Sequence, residues 1–250
     1  MAGTRHNRRR RRGRFSFLWK LLAALIIVAA MVAAVTLFFR MDYVVVTGNE
    51  RYTEQEVLDA SGLETGSNLY FINKFDVKEA IFAQLPYVEE IRINRALPDT
   101  MIIEVRECTA EAAIGSGRDV WLISGLGKLL EETDTPPDGC PLIVGAELID
   151  PAAGRMADFG TDAAYRADAA LTLLREAEER GMRAGIRQVD LSDETALTFA
   201  YLGRFTVRMP WTSDFGYKLE SLATVVNYLE NNETGRIDLM TEGKASFIPK

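Results

Sequence analysis

The side chains able to do chemistry in this 250-residue chain are few and unevenly placed. Its single histidine is His6, and its two cysteines are Cys108 and Cys140. With His6 confined to the N-terminal end, the chain beyond it cannot assemble a Ser-His-Asp or Cys-His nucleophile, nor a histidine-ligated zinc site. Hydrolysis by paired carboxylates stays open in principle, since Asp and Glu total 36. No short acidic pattern stands out among them, however, and a P-loop, a Rossmann glycine fingerprint and an EF-hand loop are all missing. The cysteines could close a loop of about 30 residues in an oxidising compartment, a bridge stabilising by roughly 3–4 kcal/mol; two separate thiols are the alternative. The expectation is no catalytic, cofactor-binding or metal-binding residue.

What remains is placement and binding. Leu21 to Phe39 is uncharged, and Thr36 alone in it is not hydrophobic. At about 1.5 Å per helical residue it reaches roughly 28 Å, enough to cross the hydrocarbon core of a bilayer. Before it stand Arg5, Arg8 to Arg12, Arg14 and Lys20, with no acidic residue. Positive-inside reasoning keeps this end cytoplasmic and sends residues from about Met41 across the membrane. A cleavable secretory signal is the competing reading, and the small residues of Val28 to Val35 would suit a peptidase. Its apolar stretch is usually about 7–15 residues, so a retained anchor is expected, with Trp19 at one border and Phe38, Phe39 and Arg40 at the other.

Charge divides at the same point. Beyond residue 40 the chain holds 20 basic and 36 acidic side chains, a formal −16. That makes a poor partner for nucleic acid, and none is expected. The basic tail is expected to grip anionic lipid headgroups.

The elements beyond the span fall into two modules. Tyr43 to Thr47 reads as a strand ending at Gly48-Asn49. Thr53-Glu54-Gln55-Glu56 matches a capping box, and Gly62 stops the helix it opens. A second helix reads from Asp76 with Val77, Ile81 and Leu85 on one face, and Pro86 ends it. Tyr87 to Arg95 and Thr100 to Arg106 alternate as strands around Ala96-Leu97-Pro98-Asp99. The result is β-α-α-β-β, a three-stranded sheet with two helices on one side. In the second module, strands are expected near Ala113-Ile114, Val120 to Ile123, Lys128 to Leu130 and Cys140 to Gly145. Further strands follow at Ile186 to Leu191, Ala196 to Tyr201, Arg204 to Met209, Arg236 to Met240 and Lys244 to Ile248. Helices are expected over Asp162 to Arg180 and after Ser213 or Asp214. The fold class is α+β: a transmembrane helix, then this small module, then a second mixed module with a largely antiparallel sheet. The division expected is 1–17 tail, 18–39 span, 40–109 first module and 110–250 second module.

The first module resembles a POTRA (polypeptide-transport-associated) domain, in the version found in the bacterial cell-division proteins FtsQ/DivIB. The residues that carry the likeness are Val46-Thr47-Gly48-Asn49, Gly66-Ser67-Asn68-Leu69-Tyr70, Asn94 to Met101 and Val105-Arg106-Glu107. The second module resembles the β domain that follows in that family, through Trp121, the Gly125-Leu126-Gly127 turn, Pro141 to Gly145, Leu202-Gly203, Lys218-Leu219 and Ile237-Asp238-Leu239. Ser124 stands where the family often has aspartate, and Cys140 where it often has leucine.

The resemblance implies a non-enzymatic, single-pass scaffold of the division septum that binds FtsL- and FtsB/DivIC-like proteins. Arg236, Ile237, Asp238, Leu239, Lys244, Ala245, Ser246, Phe247 and Ile248 are the expected partner contact, presented as an open sheet edge. Proline at Ser246 is expected to abolish it. Val44 to Thr47, or the Thr100 to Arg106 hairpin, is a candidate for a second, membrane-proximal contact. Alternatives are a sporulation-type or other envelope scaffold and an anchored carboxylate hydrolase.

Overall fold

The computed structural model describes residues 13–117 and 119–250, so the arginine-rich stretch 5–12 and His6 lie outside the described residues. Helix α1, Gly13–Phe38, contains a segment, Phe17–Phe38, long and apolar enough to cross a membrane. The loop that receives its end holds Asn68, 32 positions beyond Thr36, and belongs to the first sheet module.

This module contains β1 (Tyr43–Thr47), α2 (Glu54–Ser61), α3 (Lys74–Gln84), β2 (Val88–Ala96) and β3 (Thr100–Glu107). The capping box forms as expected. Thr53 Oγ1 accepts from the Glu56 amide at 3.2 Å, and the Glu56 carboxylate accepts from the Thr53 amide at 2.8 Å. Gly62 closes α2 at φ +63°. Helix α3 opens two residues earlier than the sequence suggested, because Asn73 and not Asp76 caps it. Asn73 Oδ1 accepts from the Phe75 amide at 3.1 Å, and its Nδ2 donates to Asp76 at 2.8 Å. Strand order is β1-β3-β2, with β1 parallel and β2 antiparallel to β3. Ile91, Ile93, Met101, Ile103 and Val105 alternate inward and meet Val57, Ala60, Val77 and Ile81 of the two helices.

The second module is one nine-stranded sheet, ordered β12-β11-β10-β9-β8-β7-β4-β5-β6. Its strands are β4 (Ala112–Ser116), β5 (Asp119–Ile123), β6 (Leu129–Thr133), β7 (Leu142–Val144), β8 (Ile186–Asp190), β9 (Leu197–Tyr201), β10 (Phe205–Met209), β11 (Gly235–Asp238) and β12 (Ser246–Pro249). Most neighbours are antiparallel; β4/β7, β7/β8 and β10/β11 are parallel. Helices α4 (Gly160–Glu179) and α5 (Phe215–Tyr228) supply Leu171, Leu174, Phe215, Leu219 and Leu222 to the core that buries Ile143, Val189, Phe199, Val207 and Ile237. Parallel pairing of β10 with β11 requires a crossover, and α5 is that crossover.

The span is joined to the first module by more than chain. An α-helix leaves its last carbonyls without partners. Here Asn68 Nδ2 donates to the carbonyls of Val35 and Thr36 at 3.1 and 3.3 Å, while its Oδ1 holds the Tyr70 amide at 2.9 Å. Leu69 donates to Phe39, Met41 to Ser67, and Gly66 to Met41, each through its amide. Arg95 closes the loop from the sheet side, donating to Leu69 O at 2.6 Å and Ile72 O at 2.9 Å. The hairpin tip joins in, since Asp99 O accepts from the amides of Asp42 and Tyr43. The family-like residues Asn68, Arg95 and Asp99 thus build the seat on which the span stands.

A second joint links the two sheets. Tyr87 donates its hydroxyl to Glu131 at 2.7 Å beneath the Arg51 guanidinium, which lies 3.7 Å from the tyrosine ring. Lys128 Nζ crosses from β5–β6 to donate to Val88 O at 2.8 Å. Tyr87, Ala113, Leu122 and Leu130 form the buried patch between them, with Cys108 and Cys140 at its margin. Both cysteines are free, and burial pushes both thiols above their ordinary pKa. Burial first, then the Glu131 carboxylate, raises the Tyr87 phenol above the ordinary tyrosine value of 10.0. It therefore stays a donor at physiological pH.

Two outcomes follow from these joints. Asn68→Ala should cost about 1–2 kcal/mol and expose the Tyr70 amide to hydrogen exchange. Asn68→Asp should keep that amide protected while loosening the end of α1; equal exchange in both variants would rule this account out. Tyr87→Phe should destabilise by about 1–2 kcal/mol at neutral pH. Because the folded phenol is raised, its contribution is complete below the ordinary value of 10.0 and is lost as pH climbs above it. A denaturation series showing the same gap between wild type and variant at high pH as at neutral pH would contradict this.

Candidate functional site: the C-terminal sheet edge

The end of the nine-stranded sheet is held in place by long cationic side chains. Asp214 caps α5 by accepting from the Tyr217 amide at 3.0 Å. One turn along, Lys218 is buried on the apolar face beside Leu219, and its ammonium donates to the carbonyls of Leu239 and Thr241 just past β11. Arg204 Nη1 donates to Glu230 O at 2.7 Å and fixes the loop that leads into β11. Strand β12 then folds back antiparallel on β11, and Phe247 meets Phe205 edge-on with ring centres 6.1 Å apart. A glycine is required at 235, because a Cβ there would run into Ile248 O and the Phe247 ring.

The phase of the edge follows from two contacts. Lys250 N donates to Thr234 O at 3.0 Å, and Ile248 O lies against Gly235. Alternate residues of an antiparallel strand turn their backbone groups the same way. Ser246 and Ile248 therefore face β11, while Phe247 and Pro249 face outward, where β12 meets no further strand among the described residues. Pro249 has no N–H, so Phe247 carries the outward donor. Proline at Ser246 would break the β11/β12 hairpin itself, and it does not isolate the free edge as the sequence suggested.

The sheet face opposite the helices is polar. Gln188, Ala200, Thr206, Arg236 and Ile248 stand in register across five strands, and Asp190, Thr198, Arg208, Asp238 and Ser246 form the next row. Arg208 reaches Asp193 at 2.9 Å. Hydrogen bonds from Thr195, side chain and backbone, aided by Arg208, pull the Asp193 carboxyl down to about 2. At the β12 end a groove of about 640 Å³ opens, lined by Ala200, Thr206, Ile248 and the cations Arg204, Arg236 and Lys250. Arg236 is exposed and makes no ion pair among the described residues.

The nine expected contact residues divide accordingly. Ile237 and Leu239 are core residues, 0% and 1% exposed, and face the helices. Asp238 stands on the polar face and accepts from the Met240 amide at 3.0 Å. Lys244 and Ala245 are exposed but precede β12, which begins at Ser246, two residues later than expected. Arg236, Phe247 and Ile248 are the ones that the edge and groove bring together. Strand β3 lies between β1 and β2, so of the two proposed membrane-proximal contacts only β1 offers an edge. Gly235, Arg204, Lys218 and Lys250 were missed from sequence. A lysine on the apolar face of α5, between Phe215 and Leu222, was the one legible signal among them. Among the described residues no three His, Cys, Asp or Glu side chains gather as a metal would need.

Lys218→Met should leave the buried Leu239 carbonyl without its lysine donor and cost about 1–3 kcal/mol. Hydrogen exchange should rise first in β11 and β12. Unchanged protection there would show that the ammonium is not what holds the edge.

Residues 39–107 match the POTRA domain of the FtsQ type. The cell division protein DivIB of Clostridium botulinum is 33% identical over 95 residues, a stretch covering 38% of this chain and 37% of that protein. FtsQ of Syntrophotalea carbinolica is 26% identical over 215 residues, covering 80% of this chain and 73% of the relative. The solved major extracytoplasmic domain of DivIB from Geobacillus stearothermophilus is 17% identical with a TM-score of 0.32, covering 50% of this chain and 97% of that one, a likeness too loose to carry detail. The chain thus spans little more than a third of the length of the DivIB relative from Clostridium botulinum. Residues 39–107 thus match a POTRA domain of the FtsQ type, and the chain is similar in sequence to cell division proteins named DivIB and FtsQ.

Proposed function

We propose that this chain is a non-catalytic scaffold of the division septum, anchored by α1 with its N-terminus in the cytoplasm, both sheet modules outside, and partners captured at the β12 edge. The observation that carries the reading is that edge: a short strand with an outward amide at Phe247, beside a groove holding three cations. An exposed edge accepts an extended segment by strand addition, where backbone bonds supply affinity and alternate side chains supply choice. In a chain with a formal −16 beyond residue 40, Arg204, Arg236 and Lys250 select a segment carrying acidic residues. Single-span division proteins of the FtsL and FtsB/DivIC kinds are the partners this reading assigns. Anionic lipid headgroups are the ligand it assigns to the basic tail.

The test is capture of solubilised division proteins by the detergent-purified full chain, followed by titration of the bound partner's extracytoplasmic segment. Gly235→Val displaces β12 against its own hairpin, and Arg236→Glu reverses the groove's charge. Each should weaken binding about tenfold or more, equivalent to about 1.4 kcal/mol. Tyr228→Ala, at an exposed position on α5, should leave it unchanged. Full affinity in both edge variants would remove β12 as the partner site.

A further inference from the structure

We infer that the membrane-proximal end of the POTRA module lies in the interfacial layer of the bilayer, with Phe71, Phe75 and Leu97 as its anchors. The inference rests on α1 spanning that bilayer. Among the described residues beyond α1, phenylalanine is strongly exposed at two positions only: Phe71 at 74% and Phe75 at 70%. Both lie at one end of the module. Phe71 follows the Asn68 turn that holds the last carbonyls of α1, and its amide donates to Asn68 O. Phe75 begins α3 immediately after the Asn73 cap, next to Lys74, which is tied to Ile93 O near the end of β2. Leu97, 55% exposed, sits at the tip of the β2–β3 hairpin, whose Asp99 is bonded to Asp42 and Tyr43 just past the span.

Depth is set by α1. The 22-residue segment Phe17–Phe38, apolar apart from Lys20 and Thr36, reaches about 33 Å, slightly more than the hydrocarbon thickness, so the helix leaves the hydrocarbon near Phe38. Phe39 meets Tyr70 edge-on with ring centres 4.9 Å apart, which places the loop one ring beyond that exit. The interfacial layer on each side is several ångströms deep, and aromatic residues concentrate there because they combine an apolar ring with a tolerance for headgroups. The occupant of this apolar surface is therefore the lipid around the chain's own span. The hydrogen-bonded seat prevents the module from tilting these residues away.

The experiment uses the full chain in phosphatidylcholine/phosphatidylglycerol vesicles, with and without bromine on the acyl chains near the headgroups. Phe71→Trp, Phe75→Trp and Leu97→Trp each add a fluorophore, and Tyr228→Trp adds one on the far module. The emission added at 71, 75 and 97 should be quenched by bromolipid to the extent seen for the native Trp19, while that added at 228 should not change. Trp19 quenched with the three variants unaffected would overturn this inference alone. Trp19 unaffected as well would overturn the spanning reading and this inference with it. Three separate positions guard against one substitution that disturbs folding.

Discussion

Two carbonyls at the end of α1 and the side-chain amide of Asn68 that answers them set how the rest of the described chain is joined to that helix. A helix leaving a bilayer ordinarily frays into water and hands its last carbonyls to solvent. Here a side chain thirty-odd residues downstream takes them, and the same side chain shapes the loop leading to Tyr70. Arg95 then fastens that loop to β2, and the β2–β3 tip is fastened to the start of β1. Span, loop and sheet become one body with no free linker between them.

The same device recurs through the two sheet modules. Lys128 donates to Val88 O at the joint between the sheets, Arg183 to Ala110 O and Glu111 O, Arg204 to Glu230 O, and Lys218 to Leu239 O and Thr241 O. Cations are scarce beyond the span, and these are placed on backbone oxygens where loops must turn without ladder partners. Carboxylates are consequently left in excess at the surface. The basic groove beside β12 stands out against that field, because its charges are presented outward.

The local elements were legible because their signals are local. The capping box at Thr53, the αL glycine at 62 and the alternation of Ile91, Ile93, Met101 and Ile103 each depend on neighbours within a few residues. The errors share the opposite property. Helix α3 begins at Lys74, two residues before Asp76, where the sequence reading starts it, because Asn73 caps it from the loop that leaves the Asn68 seat. The placement of β3 in the middle of its sheet, the Tyr87–Glu131 bond and the Lys218 contact join residues 20 to 60 positions apart, and spacing carries no trace of them. Of the contact residues expected at the C-terminus, Ile237 and Leu239 were misplaced by the simple alternation of a strand, whose inward half serves the core.

The nine-stranded sheet is continuous from β6, beside the POTRA joint, to β12 at the opposite edge. In mechanical terms this is a short, stiff load path. Tension applied at β12 would cross ladder hydrogen bonds strand by strand, pass the Tyr87 and Lys128 joint, traverse the three-stranded sheet and reach α1 through Asn68. A tether of that kind transmits position as well as attachment, so under the proposed function a partner at the edge would be held at a set distance and bearing from α1.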